Sequence, residues 1–261
     1  MRLIPHLLLS TTITITSTII NTTAGDAVGT WVQVTPPGLN MDHSLARGNN
    51  YGVQDILVHP LKPAQLFAFS CFQGVWKSSD YGLTWSKISA DGGPLDLGKA
   101  WGEVIAPDAS YMLACQGDGP EYTSAFRSTD GGVTWIAHPT PIDPYMYDID
   151  PQDGNHVVCS GHNSDHLAES KDGGLTWSDA GAIGSGGSNY LHFLDSSTLL
   201  SVAQDERGTW RGTKSGTTWT WAKVSNQRHV HGSHQLHVER AAPGTTLILR
   251  DREQRGAVEE M

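Results

Sequence analysis

The sequence predicts an all-β fold, a β-propeller of four-stranded antiparallel blades, on three observations. One eight-residue turn segment recurs in register along the chain. Short apolar runs bounded by turn residues come four to a unit, and the units repeat every 40 to 50 residues or so. No long helical period interrupts them. Composition agrees: 29 Gly and nine Trp among 261 residues, with only 17% charged side chains, suit many short strands and tight turns.

At the N-terminus, Arg2 supplies a short positive region and Leu3 to Ile20 an apolar, Thr-rich stretch. Thr22, Thr23 and Ala24 offer small residues for cleavage. Residues 1–24 therefore read as a secretory signal peptide and the mature chain as exported, with residues 29–261 as the propeller domain. The stretch is too short and too rich in hydroxyls for a membrane span, so no membrane association is expected once it is removed. A formal net charge of −10 argues against nucleic acid, which needs a basic face.

The recurring segment is Ser78-Ser79-Asp80-Tyr81-Gly82-Leu83-Thr84-Trp85, then Ser128-Thr129-Asp130-Gly131-Gly132-Val133-Thr134-Trp135, then Ser170-Lys171-Asp172-Gly173-Gly174-Leu175-Thr176-Trp177. A worn fourth copy, Gly212 to Trp219, puts Lys214 where the aspartate should be. Ser and Asp side chains can hold a tight turn by bonding nearby backbone N–H groups. Gly supplies positive φ, and Thr and Trp start the next strand. Ser78, Asp80, Gly82 and Trp85, with Ser128, Asp130, Gly132, Trp135, Ser170, Asp172, Gly174 and Trp177, are thus expected to be structural. The fourth hairpin, lacking Ser and Asp, is expected to be looser.

The pattern S-x-D-x-G-x-T-W resembles the Asp-box, or bacterial neuraminidase repeat, of the sialidase-like and Asp-box glycoside hydrolases. That resemblance implies a box between the third and fourth strands of each blade. Blades are expected near 50–88, 100–138, 145–180 and 189–224, with an incomplete fifth at 232–261 closed by residues 29–35. The alternative is a ring shortened from six or seven blades. In the first unit the strands read Val53–Val58, Leu66–Phe72, Val75–Ser78 and Thr84–Ile88. Cys71, Cys115 and Cys159 follow one another at intervals of 44 residues in apolar runs, and read as one repeated core position.

The resemblance also implies that ligands bind the face opposite the boxes, where blade-to-blade loops and second-to-third-strand loops gather. Trp101, Tyr122, Tyr145, Tyr147, Tyr190 and Asp205 fall on or beside those loops and are the candidate ligand-binding residues. Rings of this kind stack on sugar faces while carboxylates hold hydroxyls. The expected partner is extracellular carbohydrate, and oligomeric state is left open. Asp55, Glu103 and Asp148, on or near innermost strands, are candidate catalytic carboxylates. They could imitate the two aspartates that Asp-box xyloglucanases use as acid and base. His229, His231 and His234, with His162, form a candidate divalent-metal cluster, although no ligand spacing is matched. A sialidase is not implied. The only approximation to its arginine motif is Arg2-Leu3-Ile4-Pro5, inside the expected signal. Two readings follow: an exported glycoside hydrolase or polysaccharide lyase, or a non-catalytic glycan- or protein-binding propeller that could also be an inactive, shortened relative.

Overall fold

The computed structural model of the chain describes residues 33–48, 50–204 and 208–226. Within them lie four antiparallel sheets of four strands each, every sheet ordered as its strands occur in sequence. Sheet 1 comprises β1 (Val53–Val58), β2 (Leu66–Ser70), β3 (Gly74–Ser78) and β4 (Ser86–Lys87). Sheet 2 comprises β5 (Glu103–Ile105), β6 (Met112–Ala114), β7 (Ser124–Ser128) and β8 (Ile136–Pro139). Sheet 3 comprises β9 (Pro144–Ile149), β10 (Val157–Gly161), β11 (His166–Ser170) and β12 (Ser178–Ala182). Sheet 4 comprises β13 (Asn189–Asp195), β14 (Thr198–Ala203), β15 (Thr209–Ser215) and β16 (Thr218–Ser225). The expected fifth unit lies outside the described residues. So does the expected closing strand, apart from Gln33 to Thr35, which are not in a strand.

No hydrogen-bonded ladder joins one sheet to the next. The first strands β1, β5, β9 and β13 instead touch in succession, and apolar side chains fill the space between sheet faces. Phe67, Phe69, Val75, Met112 and Phe126 pack between sheets 1 and 2. Leu113, Tyr147, Val157 and Cys159 pack between sheets 2 and 3. Leu167, Leu191, Phe193, Leu199 and Trp219 pack between sheets 3 and 4. The central strands β10 and β14 are buried along their whole length. This explains their continuous apolar runs, because both faces meet a neighbour.

Each recurring segment is the turn between the third and fourth strands of its sheet. In the second, the Ser128 hydroxyl donates to Asp130 Oδ1 at 2.8 Å and accepts the Gly132 N–H at 2.9 Å. Asp130 accepts the Thr134 N–H at 2.9 Å and the Thr134 hydroxyl at 2.6 Å. The Trp135 indole N–H closes on the Gly132 carbonyl at 2.9 Å, which requires Gly132 at φ +90. The other two copies repeat these bonds. In the first, contacts from the Thr84 hydroxyl, the Thr84 N–H and Ser78 bring the Asp80 carboxyl down to about 2. Asp130→Ala strands several donors at once and is expected to cost about 1–2 kcal/mol, read as a lower denaturant midpoint with unchanged slope.

Two expectations are corrected. The fourth hairpin is tight, with a two-residue turn at Gly216–Thr217 and pairing that runs from Ser215↔Thr218 back to Thr209↔Ser225. Without a Ser–Asp loop to hold, the strands simply pair up to the turn. The cysteines are all buried and free, but Cys159 is not the counterpart of the other two. Cys71 and Cys115 donate their N–H groups to Gly52 and Gly102, each just ahead of a first strand. Cys159 lies mid-strand opposite Tyr147, and it meets Cys115 across the interface of sheets 2 and 3.

Candidate functional site: an aromatic strip at the mouths of the first strands

Each sheet places one aromatic residue at the entry to its first strand: Tyr51, Trp101, Tyr145 and Tyr190. Since β1, β5, β9 and β13 adjoin, these rings form one strip. Trp101 and Tyr145 have centroids 5.7 Å apart, and Tyr145 meets Tyr190 edge-on at 5.9 Å. The Tyr145 and Tyr190 hydroxyls are 3.3 Å apart, and the Gln204 amide donates to Tyr145. Burial first, then the neighbouring Tyr190, push the Tyr145 phenol far above its usual range, so it stays a neutral donor.

Lys99 bridges the near end of the strip. Its ammonium lies 5.1 Å from the centroid of Tyr51 and 5.5 Å from that of Trp101, within cation–π range. Asp118 Oδ2 neutralises it at 2.6 Å. Behind Trp101 runs the Gly117 backbone, where a Cβ would fall 2.3 Å from the indole. His162 lies against the indole with ring centroids 4.1 Å apart and planes tilted by 43°, and it stacks on Tyr145 at 5.9 Å and 19°. His162 Nδ1 is 3.1 Å from Asp143 Oδ2, and Nε2 is 3.1 Å from the Asn163 amide.

Of the ligand-binding candidates, Trp101, Tyr145 and Tyr190 thus come together. Tyr122 is exposed on the β6–β7 loop. Tyr147 does not line the face: it is 4% exposed and packs on Trp177 between sheets 2 and 3. Tyr147 and Ile149 alternate inward along β9, whereas the register shifts at the strand mouth, where Ser160 pairs with Met146 but Gly161 with Pro144, so Tyr145 does not follow that alternation. Asp205, His229, His231 and His234 lie outside the described residues. His162, their expected companion, is engaged by Asp143, and no cluster of three metal-ligating side chains occurs among the described residues. Tyr51, Gln204 and Gly117 were missed by sequence reasoning. Tyr51 had a signal, since it precedes β1 as Trp101 precedes β5.

The three carboxyl candidates lie further along the first strands than the rings. Burial pushes Asp55 up to about 6, while the Ile56 N–H, donating at 2.8 Å, opposes the shift. Glu103 is 4% exposed and neither of its oxygens has a hydrogen-bond partner. Burial, and then the charge of Asp55, hold its carboxyl well above the carboxylate range. Asp148 accepts the Phe193 N–H at 2.5 Å and lies 3.3 Å from His192 Nδ1. It also borders a cavity of about 240 Å³ with Leu57, Val58, Val104, Ile105 and Ile149.

No protein-family model matches the chain. It is 34% identical over 86 residues to the xyloglucanase Xgh74A of Acetivibrio thermocellus, covering 26% of this chain and 10% of that one. It is 26% identical over 222 residues to a xyloglucanase of Hypocrea jecorina, covering 78% of this chain and 24% of the relative. The chain therefore matches between a tenth and a quarter of the length of these relatives. Its structure superposes on the GH74 xyloglucanase of Xanthomonas campestris with a TM-score of 0.52 at 16% identity, over 72% of this chain and 32% of that one. The fold is a β-propeller. The four sheets are its blades, and the strip lies on the face where successive blades hand over the chain. Among the described residues no helix is long and apolar enough to cross a membrane.

Proposed function

We propose that this propeller is an exported glycan-recognition protein that binds carbohydrate along the Tyr51–Trp101–Tyr145–Tyr190 strip. The observation that carries the reading is one ring per blade at adjoining strand mouths, flanked by Lys99, Asp118, Asp143 and Gln204. Aromatic surfaces bordered by a few fixed polar groups are what a sugar ring with apolar CH faces and hydroxyl edges requires. The xyloglucanase names of the relatives support the same class of ligand. In this reading the three turns are Asp-boxes, residues 1–24 direct export, and residues 232–261 with 29–35 complete the ring.

Recognition is favoured over hydrolysis by two of the three candidate carboxyl groups. An acid and base must touch the scissile bond. Glu103 is shut off from solvent, and Asp148 is engaged by the Phe193 N–H and His192. Calorimetric titration with soluble xyloglucan and other neutral polysaccharides tests the reading. Trp101→Ala and Tyr145→Ala are each expected to weaken binding about tenfold or more, since a buried stacking ring is worth roughly 1–3 kcal/mol. Absence of binding to every polysaccharide, or release of reducing ends on mixing, would overturn it.

A further inference from the structure

Trp101 is only partly exposed in this structure and is crowded by two neighbours. One side of the indole lies on the Gly117 backbone, so close that only glycine fits there. The His162 imidazole leans over the indole, with ring centroids 4.1 Å apart and planes tilted by 43°. With the imidazole at that distance, a sugar ring laid flat on the indole on that side would collide with it. We infer that His162 is a side-chain lid that must rotate off Trp101 before a ligand stacks there. This rests on the glycan reading for its biological meaning, but not for its geometry.

The moving part is the side chain and not the turn that carries it. The His162 N–H donates to the Asp143 carbonyl at 2.8 Å. The next residue, Asn163, donates its N–H to the Ser188 hydroxyl at 2.6 Å. With the backbone held on both sides, only rotation about the side-chain bonds of His162 remains. The closed position is held by contacts that rotation can release. These are the tilted ring contact with Trp101, the stacking on Tyr145, one carboxylate contact from Asp143 at 3.1 Å, and one amide contact from Asn163 at 3.1 Å. The His162 side chain is 22% exposed, so it has solvent to move into. The lid belongs to blade 3 and the ring it covers to blade 2, so a ligand that opens it bears on both blades.

Acrylamide quenching of tryptophan fluorescence isolates the lid when each background is compared with its own Trp101→Phe partner. In wild type the Trp101 contribution is expected to be poorly quenched. In His162→Ala it is expected to be quenched freely, and polysaccharide affinity to rise by about two- to tenfold, the equivalent of one aromatic contact. Asp143→Asn, which weakens the hold without removing the ring, is expected to move both readouts the same way by less. Unchanged quenching in His162→Ala overturns the lid, and so does freer quenching with weaker binding, which would make His162 a ligand contact. Freer quenching with no polysaccharide bound by any variant leaves the lid standing and removes the glycan reading instead.

Discussion

Glu169→Ala is expected to destabilise the protein by about 3–5 kcal/mol, the usual cost of breaking a buried ionic cluster by removing one partner. Glu169 Oε1 lies 2.6 Å from His156 Nε2 and 3.0 Å from Lys171 Nζ, and it also receives the Lys214 ammonium. His156 Nδ1 turns to Asp150 Oδ2 at 2.9 Å, and Asp150 accepts the Ser196 hydroxyl at 2.9 Å. Glu169, His156 and Asp150 are all buried. Truncation would leave two ammonium groups and an imidazole facing one another without their shared acceptor. Lys214 and Ser196 come from blade 4, so the cluster also fastens blade 4 to blade 3.

Its pH dependence has a definite sign. Burial works to raise the Glu169 carboxyl, but the contacts from His156, Lys214 and Lys171 outweigh it and bring the group down to about 2. A folded value below the ordinary carboxylate value makes the stabilisation complete above about pH 4.5, and it is lost as pH falls toward 2. Urea unfolding should therefore show a constant gap between wild type and Glu169→Ala near neutral pH. The gap should narrow steadily below pH 4.5. A gap that does not change with acidification would mean that charge is not what the cluster contributes.

Phe193→Ala should cost a further 3–5 kcal/mol by opening a cavity where blades 3 and 4 meet. Phe193 is fully buried on β13, packing edge-on against His156 at 4.9 Å and close to Trp219 at 6.4 Å. Because no ladder crosses between blades among the described residues, they are joined there by this apolar layer and by polar side-chain contacts. One such contact is Phe193's own N–H on Asp148. The substitution should therefore do more than shift the midpoint. Loss of one interface from a stack of nearest-neighbour contacts should broaden the transition, with blade 4 melting ahead of the others. Hydrogen exchange localised to β13–β16 would reveal this. A uniform, equally sharp transition would show that the blades unfold as one.

Much of the architecture was legible because its cause is local. A Ser, an Asp, a Gly, a Thr and a Trp within eight residues contain every donor and acceptor of the turn they build, so the motif locates a hairpin wherever it stands. Strand positions followed from the turns, and Val53–Val58 is found where it was expected. Local reasoning failed where the motif was worn. Lys214 suggested a loose turn, but the turn is tight and the lysine reaches across to Glu169. It failed again at Tyr147, since nothing in a run of alternating aromatics says which one meets the neighbouring blade.

The candidate site was half legible for the same reason. Rings at strand mouths can be read from their place relative to each strand, which is how Trp101, Tyr145 and Tyr190 were found. That Glu103 is enclosed, that Asp148 is engaged by blade 4, and that His162 covers Trp101 depend on contacts between residues far apart in the chain. Sequence by itself determined the hairpins, the four-strand unit and the residues available at each strand mouth, because those rest on hydrogen bonds and alternation within a few residues. Only the tertiary structure decided which side chains face solvent, which are sealed and which cover one another. Packing of one blade on the next is set by the shapes of both faces at once, and neither segment encodes the other's shape.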